Sequence, residues 1–382
     1  MTLFSQKLLF TLKQAVKYLI SPKEREKFRS EIQIKKLQDQ AIQQFDPLVK
    51  KLIVFLVLGS DRITGVDKIS GGIISIVSLC EESASLLDEH KGTVLLCTLF
   101  NERLLWKHTQ FKNNTNIFRF VQLSQSFINV EEVIIHIPEF TCQYFLDYLP
   151  RRDFQWLAAL KKVHINILNQ NIRLMPTQEV INRLKDIANL ITVTTAHQRY
   201  CNMNYRQQYG VPLHKFSVWI SPEKYAFREY KKKRNLLIVS PDPHPEKQHI
   251  LDELKLIAGL QIQIIENLTY EEYKDVISSA KFALTFGEGL DGYILEPIFS
   301  GAIGLAVYNE EFFTPDFGEL QTVYPSYDVL KEKIISDLAL LDDEDTFKAY
   351  QTKQYNMCAK YYSYKTYQDN ILQFYKGHYT FP

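Results

Sequence analysis

Short, unbroken apolar runs alternating with helix-length stretches set the strongest limit on what this chain can fold into. "KLIVFLVLG" (51–59) has no polar alternation after its first residue. Such a run suits a strand buried on both faces, which is the situation of a strand inside a parallel sheet. Further runs follow at "TVLLCTLF" (93–100), "IFRFVQL" (117–123), "EEVIIHI" (131–137), "KVHINIL" (162–168), "LITVTT" (190–195) and "FSVWI" (216–220). Helical stretches separate most of them, and repeated βα alternation predicts a parallel sheet covered by helices. "REYKKKRN" (228–235) then breaks the pattern and reads as a solvated hinge. A second series has strands at 236–240, 261–266, 282–286 and 303–308, helices at about 246–258, 269–280 and 292–301, and a Tyr-rich helical end from about 326. The expected fold is α/β, with two Rossmann-like doubly wound domains facing a central cleft. The expected divisions are a leader at 1–50, an N-terminal domain at 51–228, a C-terminal domain at 229–362, and a closing helix at 363–382 that crosses back.

With 382 residues the chain has room for two cores. A net charge of +1 gives no electrostatic case for nucleic acid. The five cysteines are scattered, and none forms a CxxC or Cys/His cluster, so reduced thiols in a cytoplasmic protein are expected. No cleavable signal pattern and no membrane-spanning run is present. Charge is uneven: residues 1–51 carry 11 Lys/Arg against 5 Asp/Glu, a balance of +6 that leaves −5 for the rest. Within 3–29, Leu8, Leu9, Leu12, Ala15, Val16, Leu19 and Ile20 share a helical face, with Lys7, Lys13 and Lys17 near its edges. This pattern fits a helix on the inner face of an anionic membrane. It fits equally a helix packed on its own domain or on a second subunit.

The most informative stretch is "LTFGEGLDGYILEPIFSGAIGLAVYN" (284–309). Glu288 sits in a glycine turn at a strand's carboxyl end, where open α/β sheets bind ligands. A helix begins near Asp291 or Gly292, and its free N–H groups and positive dipole end can hold phosphate. Gly289 and Gly292 allow close backbone approach. Glu296 lies one turn further on. One carboxylate can bind sugar hydroxyls and the other ribose hydroxyls, with a diphosphate between them. The plainer alternative is a glycine turn before a helix whose Glu296 is at the surface.

Glu288, seven residues, Glu296, then a small-residue stretch and a strand: this order resembles the retaining GT-B glycosyltransferases of family 4. "DIANLITVTTAHQRYCNMNYRQQYGVPLHKFSVW" (186–219) resembles that family's last N-domain unit, and "LLIVSPDPHPEKQHI" (236–250) its first donor-domain strand and P-E-K loop. "YYSYKTYQDNILQFY" (361–375) resembles its closing helix, so the likeness spans about 51 to 376. The resemblance implies that Glu296 holds the donor ribose and Glu288 contacts the transferred sugar. Gly289, Leu290, Asp291 and Gly292 would line the sugar and diphosphate. Lys247 would neutralise the diphosphate, the backbone of Gly71 and Gly72 would cover it, and His136 would face the cleft from a strand end. Departures are clear too. Ser240-Pro241 stands where the family has an Arg, Asn169 stands where a His often ends the strand, and the donor domain is short by about one βα unit. His164 reads as a core residue, His197 and His214 as surface polar residues, and His244 as a solvated loop residue within reach of a phosphate. Glu139 is a weak candidate for a carboxylate on the opposite sugar face.

The resulting expectation is a cytoplasmic enzyme that moves a sugar, with retention, from a nucleotide-diphosphate sugar to a glycan or lipid-linked glycan. UDP is the expected nucleotide, and no metal or other cofactor is implied, since no D-x-D stands in a suitable place. A catalytically silent GT-B partner or sugar-binding subunit is the rival. A nucleotide-sugar epimerase fits less well, because its dedicated groups cannot be placed.

Overall fold

The computed structural model describes residues 21–59, 71–100, 102, 104–108, 115–216, 225–266 and 268–382. The expected membrane-facing helix of residues 3–20 lies outside the described residues, as does most of "FSVWI". A first helix, α1 (Pro22–Ile42), precedes the sheet. Among the described residues the N-terminal sheet has seven strands: β1 (Lys51–Val57), β2 (Thr93–Thr98), β3 (Ile117–Arg119), β4 (Glu132–Pro138), β5 (Lys162–Asn169), β6 (Leu190–Thr195) and β7 (Leu213–Lys215). Their order is β3-β2-β1-β4-β5-β6-β7. The C-terminal sheet has β8 (Arg234–Val239), β9 (Gln261–Ile264), β10 (Ala280–Leu284), β11 (Ile303–Val307) and β12 (Val323–Tyr324), in the order β12-β11-β10-β8-β9. Every strand pair in both sheets is parallel. The unbroken apolar runs explain this, since β1 and β4 are buried at all but their first residue and β10 throughout.

Helices α2 (Gly71–Ser85), α3 (Cys142–Tyr148), α4 (Arg151–Ala159), α5 (Gln178–Leu184) and α6 (Met203–Tyr209) connect the first sheet. Helices α7 (Lys247–Leu254), α8 (Tyr270–Ser279), α9 (Gly292–Phe299), α10 (Tyr327–Leu341) and α11 (Glu344–Tyr361) surround the second. Several begin at the hydrogen-bonding caps their sequences supply: Thr177, Asn202, Thr269, Ser326 and Asp343 each accept from a first-turn N–H. The last helix, α12 (Tyr364–Tyr375), leaves the C-terminal unit and packs Tyr367, Ile371 and Phe374 against the N-terminal sheet. Glu82 accepts from Tyr364 and Gln368, and Ser83 accepts from Tyr375. Phe381 then pairs with Leu213 at the sheet edge through two backbone bonds.

The stretch read as a solvated hinge is more built-in than expected. Lys231 and Lys232 are exposed, but Lys233 is buried. Its Nζ donates to the carbonyls of Ser278, Ala280 and Ser300 at 2.9–3.1 Å. It thereby binds carbonyls at the ends of α8 and α9, where helices leave acceptors over, and shares Ser300 O with the backbone N–H of Arg228. Burial lowers its pKa to about 7.

The two-residue β12 was not expected, and among the described residues it leaves the side of Gly304 away from β10 without a strand partner. A side chain completes the ladder. Gln354 of α11 accepts from Gly304 N at 2.7 Å and donates to Gly304 O at 2.8 Å, with Thr322 Oγ1 at 3.1 Å. Gln354→Leu strands a buried N–H and leaves the Gly304 carbonyl with Thr322 alone. It is expected to lower unfolding free energy by about 2–4 kcal/mol in urea titration. A loss below about 1 kcal/mol would show that the clamp is dispensable.

Candidate functional site

Parallel pairing places all carboxyl ends of a sheet along one edge, and the two edges meet across a cleft. On the C-terminal side, β10 is extended by two bonds, Thr285 N to Leu305 O (3.1 Å) and Phe286 N to Ser240 Oγ (2.9 Å). The chain then turns through Gly287, Glu288 and Gly289 into α9. Gly289 has φ +97°, and a Cβ there would lie 2.3 Å from Phe313 Cε2, so only glycine fits. A Cβ on Gly287 would lie 2.8 Å from Asp242 Oδ2 and 2.9 Å from Asp291 Oδ2, so two carboxylates converge over that bare backbone. Asp291 caps α9, accepting from Tyr293 N at 2.9 Å. Gly292 leaves room for Glu296 to fold back towards the start of the helix, with Oε1 only 2.9 Å from where a Cβ would be.

The expected alternative of a surface Glu296 is corrected here: the side chain is buried, and Oε2 has no hydrogen-bond partner among the described residues. Burial raises its pKa to about 8, against the opposing hydrogen bonds of Tyr273 and Tyr225. Asp291 is raised to about 7, first by burial and then by the nearby charges of Asp242 and Glu288. Glu288 is raised in the same direction, again mainly by burial. Leu290 turns into the hydrophobic core, so only its backbone can serve a ligand. Lys247 opens α7, where its Nζ donates to Ser240 O (2.6 Å) and Asp242 O (2.9 Å) and lies 5.6 Å from the Phe286 ring centre. His244 stacks on Tyr327 at 3.8 Å, with its Nδ1 taken by Glu246 N.

On the N-terminal side the segment after β5 reaches across. Gln170 Nε2 donates to Gly72 O at 3.0 Å, and Asn171 Nδ2 donates to Glu288 Oε1 at 2.9 Å. Two consecutive residues thus join the start of α2, at Gly71 and Gly72, to the donor-side glycine turn. Glu139, just after β4, is buried and accepts from Asn171 N at 3.0 Å. Burial is the main cause of its pKa of about 7. Beside them, Arg173 pairs with Glu311, Arg199 lies 3.9 Å from Glu310, and the His197 ring packs edge-on against Phe312 at 5.3 Å.

His136 does not join this group, contrary to expectation. It is fully buried, stacked on Phe55 at 4.2 Å, and Asn166 Nδ2 donates to its Nδ1 at 3.0 Å. Strand alternation explains the error: its side chain points to the face covered by α12, beside Phe374 and Tyr375. Desolvation holds its pKa well below the usual value. His197 and His214 are also buried rather than at the surface, while His164 is the packing residue expected. Asn171 was missed. Its only sequence signal is its place two residues past a strand's carboxyl end, in "ILNQN".

Among the described residues no group of His, Cys, Asp and Glu has the arrangement of a metal site, and no helix is long and apolar enough to cross a membrane. All five cysteines are buried free thiols.

No protein-family model matches the sequence, and no curated protein matches it. Among solved structures, the chain is similar to an alpha-glucosyltransferase in complex with UDP-glucose and DNA containing an abasic site, with a TM-score of 0.53 and 10% identity over 85% of this chain and 99% of that one. It is similar to Anabaena Alr3699/HepE in complex with UDP-glucose, with a TM-score of 0.52 and 11% identity over 86% of this chain and 99% of that one. At such identities the likeness is one of fold, and the fold is GT-B: two parallel α/β units, of seven and five strands, with an N-terminal helix.

The buried carboxyl of Glu296 carries a pH signature. Its folded-state pKa lies above the ordinary 4.5, so its contribution to stability is full below about 4.5 and is lost as pH rises through about 8. Glu296→Gln has no such loss. The variant is expected to gain about 2 kcal/mol relative to wild type between pH 6 and 8 in urea unfolding. A difference that stays constant with pH would contradict a protonated Glu296.

Proposed function

We propose that this protein is a glycosyltransferase that takes a sugar from a nucleotide-diphosphate donor bound between the two sheet edges. The observation that carries this reading is the donor-side turn. Glu288, the backbone of Gly289 to Gly292, and buried Glu296 line one path from the cleft mouth to the start of α9. Glu296, with an unpartnered oxygen at depth, suits a pair of ribose hydroxyls. Glu288, at the cleft and already bonded to Asn171, suits hydroxyls of the transferred sugar. The diphosphate between them would meet the N-terminus of α9 and, from the other side, that of α2. Both structures cited above contain UDP-glucose, which makes UDP the first nucleotide to test.

The transfer we infer retains configuration by a same-face route. The leaving diphosphate takes the acceptor's proton as the new bond forms, so no side-chain nucleophile is needed. Positioning and stabilisation of the departing phosphate then do the catalysis. Lys247 is the side chain we assign to that charge, turning from the carbonyls of Ser240 and Asp242. The acceptor we infer is a glycan or lipid-linked glycan, as in the synthesis of a bacterial surface polysaccharide. Residues 3–29 are the segment we assign to a membrane contact.

One observation favours a second reading, a sugar-binding GT-B protein without turnover. Asp242, Glu288 and Asp291 crowd the diphosphate position, and Ser240-Pro241 supplies no cation at the end of β8. The Lys247 ammonium is already held by two carbonyls.

Thermal shift against UDP, GDP, dTDP, CMP and their sugars, paired with an assay of nucleotide release from the stabilising nucleotide sugar, separates these outcomes. One nucleotide is expected to stabilise wild type and to lose its effect in Glu296→Ala. Lys247→Ala is expected to keep nucleotide binding while lowering turnover by about a hundredfold. Binding without turnover in wild type would select the silent protein, and no stabilisation by any nucleotide would contradict the donor site itself.

A further inference from the structure

Among the described residues, three of the four lateral sheet edges are closed by the chain itself. At β3, Ile117 N donates to Trp106 O at 2.9 Å, and Ile117 O accepts from Gln38 Nε2 of α1 at 2.7 Å. At β7, Leu213 exchanges two backbone bonds with Phe381, and Lys215 N donates to Thr380 Oγ1 at 3.2 Å. β12 is two residues long, and both are buried. The edge at β9 is different. It pairs with β8 on one side, and among the described residues no strand pairs with the other. An open edge is usually blunted by a charge, a proline or a bulge. The sequence of β9, "QIQI", carries neither charge nor proline, and its register with β8 is unbroken.

The open side offers a definite set of groups. Ile265 N donates to Val239 O, so the odd-numbered residues turn their N–H and C=O towards β8. Those of Ile262 and Ile264 then point outwards. Glu266 N donates to Ile264 O at 3.2 Å, which leaves the Ile262 N–H and C=O and the Ile264 N–H without a partner among the described residues. Apolar side chains flank them. Ile264 is 38% exposed, and Leu256, just past α7, is 83% exposed, the highest of any large apolar side chain described.

Symmetry and charge decide what fits this edge. A two-fold axis sets each residue near its own copy, so a self-pairing strand must be uncharged at its centre. No charged residue lies between Lys255 and Glu266. With the axis at Ile262, the two Ile262 residues exchange N–H···O bonds, and each Ile264 N–H reaches the Leu260 carbonyl of the other copy. Ile264 then faces Leu260, and Gln261 faces Gln263, whose amides both donate and accept. At the ends, antiparallel alignment brings the exposed Glu266 of one copy to the side of the exposed Lys255 of the other, which its own chain pairs with Asp252. The carboxyl ends of the two sheets point in opposite directions, so the two clefts open on opposite sides.

We propose that β9 pairs antiparallel with β9 of a second copy of this chain, about a two-fold axis at Ile262, joining the two five-stranded sheets into one. The paired surface is small beside the roughly 1,600 Å² of a standard complex, so the dimer dissociates on dilution.

Sedimentation velocity of the full chain, over about a hundredfold range of concentration, is expected to show a monomer–dimer equilibrium in wild type. Ile264→Pro removes an outward N–H that the β8 ladder does not use. Ile264→Lys sets like charges close together at the edge. Each is expected to raise the dimer dissociation constant about tenfold or more, with the melting transition unchanged at dilutions where wild type is monomeric. If the proline variant does not fold, the lysine variant decides. The double variant Gln261→Cys, Gln263→Cys places opposed thiols within disulfide range across the axis. Mild oxidation is expected to give a covalent dimer of the double variant and none of either single variant, the native cysteines all being buried. A wild type that stays monomeric throughout overturns the pairing and leaves the edge to a strand from another protein. A dimer that both Ile264 variants retain overturns it too, because the contact then lies elsewhere. A covalent dimer from a single cysteine variant overturns the axis at Ile262.

Discussion

Parallel pairing is the constraint on which the rest of this structure depends. Because every strand in both sheets runs the same way as its neighbours, each sheet has a single edge where all its strands end. Chemistry-bearing residues can be collected there from distant parts of the sequence: Glu139, Asn169 and His197 from one sheet, Ser240 and Glu288 from the other. The hydrogen bond from Asn171 to Glu288 spans 117 residues and brings the two edges together at one point. The flanking Arg173–Glu311 and Arg199–Glu310 pairs lie at exposed rims, where such pairs add little stability and mainly set orientation.

The smaller sheet is supported by buried polar side chains that do the work of missing backbone. Lys233 satisfies three carbonyls at helix ends, and Gln354 pairs with Gly304 as a strand would. Gly301, with φ +88° and a Cβ position 2.5 Å from Arg228 O, lets the chain pass close enough for Lys233 to reach. These devices hold β10 and β11 in place, and β10 aims the glycine turn at the cleft. The five-stranded sheet thus keeps its edge geometry with only a two-residue strand beside β11.

Much of the fold was legible because unbroken apolar runs mark strands buried on both faces, and ten of the observed strands overlap those runs. β7 fell three residues before the predicted run, where "VPLHK" is short and half polar. β12 was invisible because two residues carry no period. The glycine turn and the helix that follows were legible from spacing, whereas whether Glu296 faces the cleft or the surface was left open by it. The inward or outward direction of histidines was not legible. His136 lies near the end of an apolar strand, yet the helix that covers its face, α12, comes more than two hundred residues later. Lys233 looked like one lysine among several in a basic run, since three carbonyl partners at 278, 280 and 300 leave no local trace. Asn171 and Glu139 gained their places only when β4 and β5 became neighbours.

The proposed function requires one nucleotide sugar to touch both sheet edges at once. Hydrogen–deuterium exchange with and without UDP-glucose tests it directly. Slowed exchange in two separate peptides, one covering 285–296 and one covering 169–173, is the predicted result. Slowing in neither peptide, or in only one of them at saturating ligand, would contradict a site shared by the two domains.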